Sequence, residues 1–386
     1  MDIKTPLRHQ WGFFIYDVIY IMSMITDSFS DRVFSSLDEK ATTDGQKEII
    51  KMIIKKHGYN DEPELINFID ENDNYDSFLV EIKDHGLCIK ISFDQVWIDY
   101  DFLILSGIQD LNISPTPIEK GKLTGLSKDI YYTIQTFEYS ENLKSIGVSL
   151  LMNPLYSDFF NKLKKLHNTT IPLYASEHVD DIKSYLDFHK QNFEYIQTYI
   201  EPEEVHEYEL SKKIYEQVYD QMMKCVNENI EKIKDTNLVH GNLDASTIIC
   251  NNFNFKFINF ENSFRGSMFF DLANIVFELK INGIHEYEFI TKSIKNYYPN
   301  VTNSTIHSHL EEYKICKKIW TYKMFLDLVK IYFKEVLVLN HIRKDKILQL
   351  ANDFSKNFYD FDKNIAIFPE YKSFFVEKLN LLLTNV

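Results

Sequence analysis

The sequence predicts an α+β fold, with a small β-rich part followed by a larger helical one. Three observations predict it. Residues 77–92 and 131–139 alternate apolar and polar side chains as half-buried strands do. From about residue 140 the apolar residues recur at helical spacing instead. The chain is 386 residues long, which allows two to three domains at roughly 150 residues each.

Residues 1–70 read as an N-terminal helical extension. Its apolar run 11–25, WGFFIYDVIYIMSMI, is too short to span a bilayer and carries Asp17. It also lacks the small-residue cleavage site of a signal peptide, so a buried element with no membrane role is expected. Thr43 and Gln46 have the spacing of a capping box, which predicts a helix through EIIKMIIKKHG ending at Gly58. Residues 71–138 form the β-rich part. SFLVEIK, a turn at Asp84-His85-Gly86 and LCIKIS predict a hairpin. QVWIDYDFLILSG predicts a helix stopping at Gly107, and a loop with Pro115 and Pro117 leads to the strand YYTIQTFEY.

Residues 139–386 form the helical part, with DFFNKLKKLHN, VDDIKSYLDFHKQNFEYIQTYI and ELSKKIYEQVYDQMMKCVNENIEKIK as helices. It is interrupted by residues 238–279, where two brief apolar strands joined by a turn precede a helix beginning near Phe270. No internal repeat is visible.

Composition narrows the function. With 42 basic and 57 acidic residues the net charge is −15. Phosphate-backbone contacts need a basic stripe, and there is none, so no nucleic-acid partner is expected. Arginine occurs only as Arg8, Arg32, Arg265 and Arg343, which leaves few donors for bidentate phosphate recognition. Cys88, Cys225, Cys250 and Cys316 are far apart in the chain, which predicts reduced, buried thiols and a cytoplasmic setting. His285, His307 and His309 lack a metal-like companion set. There are 11 glycines, where a usage of ~7% would give about 27. Each that remains is the more apt to answer a backbone need.

One segment carries chemistry. It contains His240-Gly241-Asn242-Leu243, then Thr247, then Ile258-Asn259-Phe260-Glu261, then Asp271-Leu272-Ala273 at a helix start. In order and spacing this resembles the aminoglycoside phosphotransferase and choline kinase family, whose pattern reads H-G-D-x-x-x-x-N, I-D-[FW]-E and D-L-A. The resemblance spans roughly residues 72–340 and implies a two-lobed protein-kinase-like fold, with ATP and Mg²⁺ as cofactors.

It implies roles residue by residue. Lys90 in CIKIS resembles the strand lysine that holds the α and β phosphates. Its acidic partner is expected on the following helix, Asp99 first and Asp101 second. YYTIQTFEY, with Glu138 near its end, resembles the hinge lining the adenine pocket, and LKKLHN, ending at His167, resembles a helix end of the family. His240 packs the loop. Thr247, Asn259 and Glu261 take the metal-binding positions.

Three of these positions depart from the pattern. The family's general-base aspartate is Asn242, whose amide takes up no proton at neutral pH, and losing a positioned base lowers rates by ~10²–10⁴. The metal-binding asparagine is Thr247, and the metal-binding aspartate is Asn259. The stretch ENDNYDSF, where the phosphate-covering loop belongs, has no glycine and carries Glu71, Asp73 and Asp76. These departures point to a pseudokinase that binds nucleotide or a protein partner. The alternative is an active ATP-dependent phosphotransferase acting on a small hydroxyl- or amine-bearing molecule, with Asp244 or Glu261 recruited. Asp244 also reads as a loop carboxylate satisfying backbone N–H groups, and Asp271 as a helix cap that ties back to the loop.

Overall fold

The computed structural model describes residues 43–59, 61–71, 75–83, 85–125, 128–137, 140–143, 157–169, 181–197, 205–233, 237–251, 254–278, 281, 283–332, 375–377 and 380. The apolar run 11–25 and Glu138 lie outside them. The chain divides into two units, one running to Glu141 and including Lys256–Glu261, the other made of Asn142–Phe255 and the residues from Asn262 onward.

The first unit is built on a five-stranded antiparallel sheet. Helix α1 (Asp44–Lys56) starts with the expected capping box. Thr43 Oγ1 accepts from Gln46 N–H at 3.2 Å, and Gln46 Oε1 accepts from Thr43 N–H at 3.0 Å. The helix ends at His57, and Gly58 takes the left-handed conformation (φ +80°) that follows a helix terminus. Strands β1 (Leu65–Glu71), β2 (Asp76–Ile82) and β3 (His85–Ser92) come next. Helix α2 (Gln95–Ile108) then leads through a single 3₁₀ turn to β4 (Pro117–Leu123) and β5 (Ile130–Thr136), and the sheet order is β1-β2-β3-β5-β4.

Period-2 alternation decides which face each residue takes. Phe78, Val80 and Ile82 of β2, Leu87, Ile89 and Ile91 of β3, and Ile130, Tyr132 and Ile134 of β5 form one apolar layer with Ile50, Ile53 and Ile54 of α1. Each buried isoleucine of α1 stabilises that layer by about 1.5–3 kcal/mol. The intervening residues, among them Cys88, Lys90, Thr133 and Gln135, face the other side.

Three sequence expectations are corrected. The extension set at 1–70 gives way within its described part, because α1 packs on the sheet and β1 is its edge strand. His85 and Gly86 lie in β3 rather than in the turn. Ile82 pairs with His85, so β3 already begins at His85, and Lys83 just after β2 has φ +52°. Helix α2 runs through Gly107, since Ile104, Leu105 and Ile108 continue its buried stripe, and the chain turns at Asn112 in the left-handed region.

After the short strand β6 (Glu141–Asn142), the second unit is mainly helical. It holds α3 (Ser157–His167), α4 (Ile182–Gln197) and α5 (Val205–Ile233). Four short strands follow: β7 (Asn237–Val239), β8 (Ile248–Asn251), β9 (Asn254–Phe257) and β10 (Phe264–Gly266). Then come α6 (Phe269–Glu278), α7 (Gly283–Tyr297) and α8 (Asn303–Tyr332). β7 pairs antiparallel with β10, with Val239 opposite Phe264, which fixes the ends of the segment read as catalytic. All four cysteines are free thiols, three of them buried. No described helix is long and apolar enough to cross a membrane.

Candidate active site

In the first unit the site is centred on Lys90. Lys90 lies on the face of β3 opposite the α1 layer and is 1% exposed. Its Nζ is 2.9 Å from Asp101 Oδ2 and donates to the Tyr75 hydroxyl at 3.2 Å, and the Tyr75 ring centroid lies 4.4 Å away. Asp101 Oδ1 accepts from Phe260 N–H at 3.1 Å, and Tyr75 donates its hydroxyl proton to Glu261 Oε2 at 2.9 Å. The lysine of the strand, the acid of the helix and the Ile258–Glu261 segment are thus joined in one buried network.

Burial opposes the Lys90 charge, but the Asp101 and Glu261 carboxylates more than offset it and hold the ammonium above its ordinary range. Glu261 moves the other way. Burial pushes its carboxyl up to about 7, with the Lys90 charge as the main opposing influence.

The order of preference for the partner of Lys90 is reversed. Asp99 pairs instead with Lys120 Nζ at 2.7 Å and accepts from Gln95 Nε2 at 2.9 Å, on the exposed face of α2. The helical repeat is the reason. Ile98, Asp101, Ile104, Leu105 and Ile108 form the buried stripe, and Asp99 falls outside it. An aspartate on the apolar stripe of a helix was the available signal. No sequence motif marks Tyr75, which lies immediately before β2.

In the second unit the loop from His240 to Thr247 is held from behind by Asp271. This carboxylate is fully buried. It accepts from His240 N–H at 2.8 Å, Gly241 N–H at 3.0 Å and His167 Nε2 at 2.8 Å. A carboxylate only accepts, so His167 Nε2 carries a proton, and Nδ1 on the other side of the ring lies 2.5 Å from the Tyr297 hydroxyl. Asp271 lies inside α6 and does not cap it; Ser267 Oγ accepts from Phe269 N–H at 3.3 Å in that place.

Gly241 has φ +78°, and a Cβ there would stand 1.9 Å from Asn262 O, so only glycine fits. Asn242 N–H donates to His240 Nδ1 at 3.3 Å, and His240 is itself fully buried. Asp244 Oδ1 accepts from Ser246 N–H at 2.7 Å, Ser246 Oγ at 2.6 Å and Thr247 N–H at 2.9 Å. Asp244 is thus a loop carboxylate that closes its own turn.

The residues that the resemblance assigns to metal do not suit Mg²⁺. The Thr247 hydroxyl accepts from Asp244 N–H at 2.9 Å and donates to Asn242 O at 2.9 Å, so the turn already uses it. Asn259, in the left-handed region at φ +68°, offers a neutral carbonyl. Glu261 is bonded to Tyr75, and its burial favours the protonated form. A hard dication prefers charged oxygens. Among the described residues no three His, Cys, Asp or Glu side chains gather as a metal cluster.

No protein-family model matches the chain, and no curated protein matches it in sequence. Solved structures match it in fold. An ethanolamine kinase of Plasmodium vivax is 14% identical, with 75% of this chain and 84% of that one covered at a TM-score of 0.55. A choline kinase of Cryptosporidium parvum is 15% identical over 78% of this chain and 96% of that one, at a TM-score of 0.52. A spectinomycin phosphotransferase, solved with ADP and spectinomycin, is 15% identical over 83% of this chain and 96% of that one, at a TM-score of 0.51. At such identities the likeness is one of fold. The chain has the α+β protein-kinase-like fold of the aminoglycoside phosphotransferases and the choline and ethanolamine kinases.

Proposed function

We propose that this protein is a pseudokinase: it keeps the scaffold of a phosphotransferase and works by binding nucleotide or a protein partner rather than by transferring phosphate. The observation that carries this reading is the side-chain chemistry of the loop. Its base position holds the amide of Asn242, and the carboxylate two residues on, Asp244, has Oδ1 engaged by three donors of its own turn. Phosphoryl transfer depends on positioning and on neutralising charge. Asn242, Thr247 and Asn259 together remove the base and the charged metal ligands. What remains is the set of groups that give the fold its shape: Lys90 with Asp101, Gly241, and Asp271 with His167.

The test is transfer from radiolabelled ATP to choline, ethanolamine and a panel of aminoglycosides. The wild type is expected to be inactive. Turnover by the wild type that disappears in Asp244→Ala or Glu261→Ala would overturn the reading.

An active phosphotransferase is the second reading. It is favoured by the Lys90–Asp101 pair, which keeps on the strand the cation that a transferring phosphate needs. On that reading Asp244 or Glu261 serves as base or ligand after a local rotation, and ATP is the donor.

A further inference from the structure

The groups around Lys90 carry one step more. We propose that Tyr75 is a built-in occupant of the anion site on Lys90, so that a nucleoside diphosphate binds only by displacing it. This rests on taking the Lys90 face of the sheet as the nucleotide face.

The geometry is that of a filled site. The ammonium is 1% exposed, with Asp101 Oδ2 at 2.9 Å on one side, the Tyr75 hydroxyl at 3.2 Å and the Tyr75 ring centroid at 4.4 Å. A cation over a desolvated aromatic face is stabilised by the ring quadrupole, and a hydroxyl supplies an acceptor besides. Tyr75 is itself 4% exposed and is pinned by its hydrogen bond to Glu261 Oε2. Phosphate oxygens reach Nζ only after the ring leaves.

The same sheet face shows an independent mark of a ligand. Thr133 pairs with Lys90 across β5 and β3, and Gln135 with Cys88. Thr133 is 1% exposed and Gln135 4%, yet Thr133 Oγ1 and Gln135 Oε1 have no hydrogen-bond partner among the described residues. Buried oxygens are normally satisfied, and leaving them bare costs stability. Gln135 Oε1 is an acceptor for an N–H donor such as the exocyclic amine of a base. A polar face ready for a base, with its anion end closed by Tyr75, is what the competition predicts.

The experiment is calorimetric titration of ADP into the wild type, Tyr75→Phe, Tyr75→Ala and Tyr75→Ala combined with Lys90→Met. Tyr75→Ala should bind ADP at least tenfold more tightly than the wild type. Tyr75→Phe keeps the bulk of the ring and loses both hydroxyl bonds, so it should fall between them, and Lys90→Met should abolish the gain. A structural role alone would lower the melting temperature without tightening ADP binding. Equal affinity in the wild type and both Tyr75 variants overturns the proposal, as does the absence of binding in all of them. The pseudokinase reading would survive either result, because it is judged by phosphate transfer.

Discussion

Replacing Asp271 by alanine tests whether this carboxylate holds the His240–Thr247 loop in place. Three donors converge on it: His240 N–H at 2.8 Å, Gly241 N–H at 3.0 Å and His167 Nε2 at 2.8 Å, all at a site with no solvent exposure. A buried donor left without an acceptor costs about 1–3 kcal/mol. His167 can turn about its side-chain torsions, but the two backbone donors are fixed by the strand behind them. Counting those two alone gives a loss of ~2–6 kcal/mol, a large part of the 5–15 kcal/mol that stabilises an ordinary domain.

The assay is urea unfolding followed by tryptophan fluorescence. Trp320 is a suitable reporter, because it is buried in the same unit, donates from Nε1 to Asn274 Oδ1 at 3.1 Å and lies beside Phe270. Asp271→Asn should lose less than Asp271→Ala, since its carbonyl still accepts one backbone donor. A loss below ~1 kcal/mol in Asp271→Ala would refute the argument.

Other perturbations separate neighbouring residues. Asp101→Ala should cost ~3–5 kcal/mol by leaving the buried Lys90 charge unpaired, while Asp99→Ala should cost no more than ~1 kcal/mol; equal losses in urea unfolding would contradict the pairing. Gly241→Ala combines a left-handed backbone with a Cβ 1.9 Å from Asn262 O. Strain and overpacking together should remove ~2–5 kcal/mol, and a melting temperature like the wild type's would show that the loop can be rebuilt.

His189 should confer acid sensitivity. Burial is the main cause holding its ring down to about 3, with Lys323 and Lys330 opposing its protonation and Asp327, 4.0 Å from Nδ1, favouring it. The unfolded chain therefore binds a proton below about pH 6.5 that the folded one refuses, so stability is full above that pH and falls as pH drops towards 3. By pH 4.5 the loss is about 2–3 kcal/mol. His189→Phe should remove that part of the pH dependence, and an unchanged slope would contradict it.

How much of this was legible in the sequence depended on whether a residue's role was local. The capping box of Thr43 and Gln46 and the helix end at Gly58 follow from backbone geometry within a few residues, and the structure has both. The sequence puts the turn after β2 at Asp84-His85-Gly86, because Asp-His-Gly is good turn chemistry and only the pairing of Ile82 with His85 fixes the register. The choice between Asp99 and Asp101 was a matter of helical phase and could have been made from the apolar stripe alone. Tyr75 was another matter. Its meaning comes from Lys90 and Glu261, 15 and 186 residues away, and no local pattern announces such a contact.

The same distinction bears on how far a preserved motif can testify to catalysis. The loop residues that match the family pattern are those whose removal would cost stability. Gly241 admits no side chain, His240 is fully buried, and Asp271 satisfies three buried donors. Asn242 and Asn259 differ from the pattern, and both are only partly buried. An amide in place of a carboxylate there keeps nearly the same shape and leaves no buried group unpaired. Thr247 shows how such a change is absorbed: its hydroxyl bonds Asp244 N–H and Asn242 O, so the turn closes without an amide. Folding thus constrains one set of positions and chemistry the other.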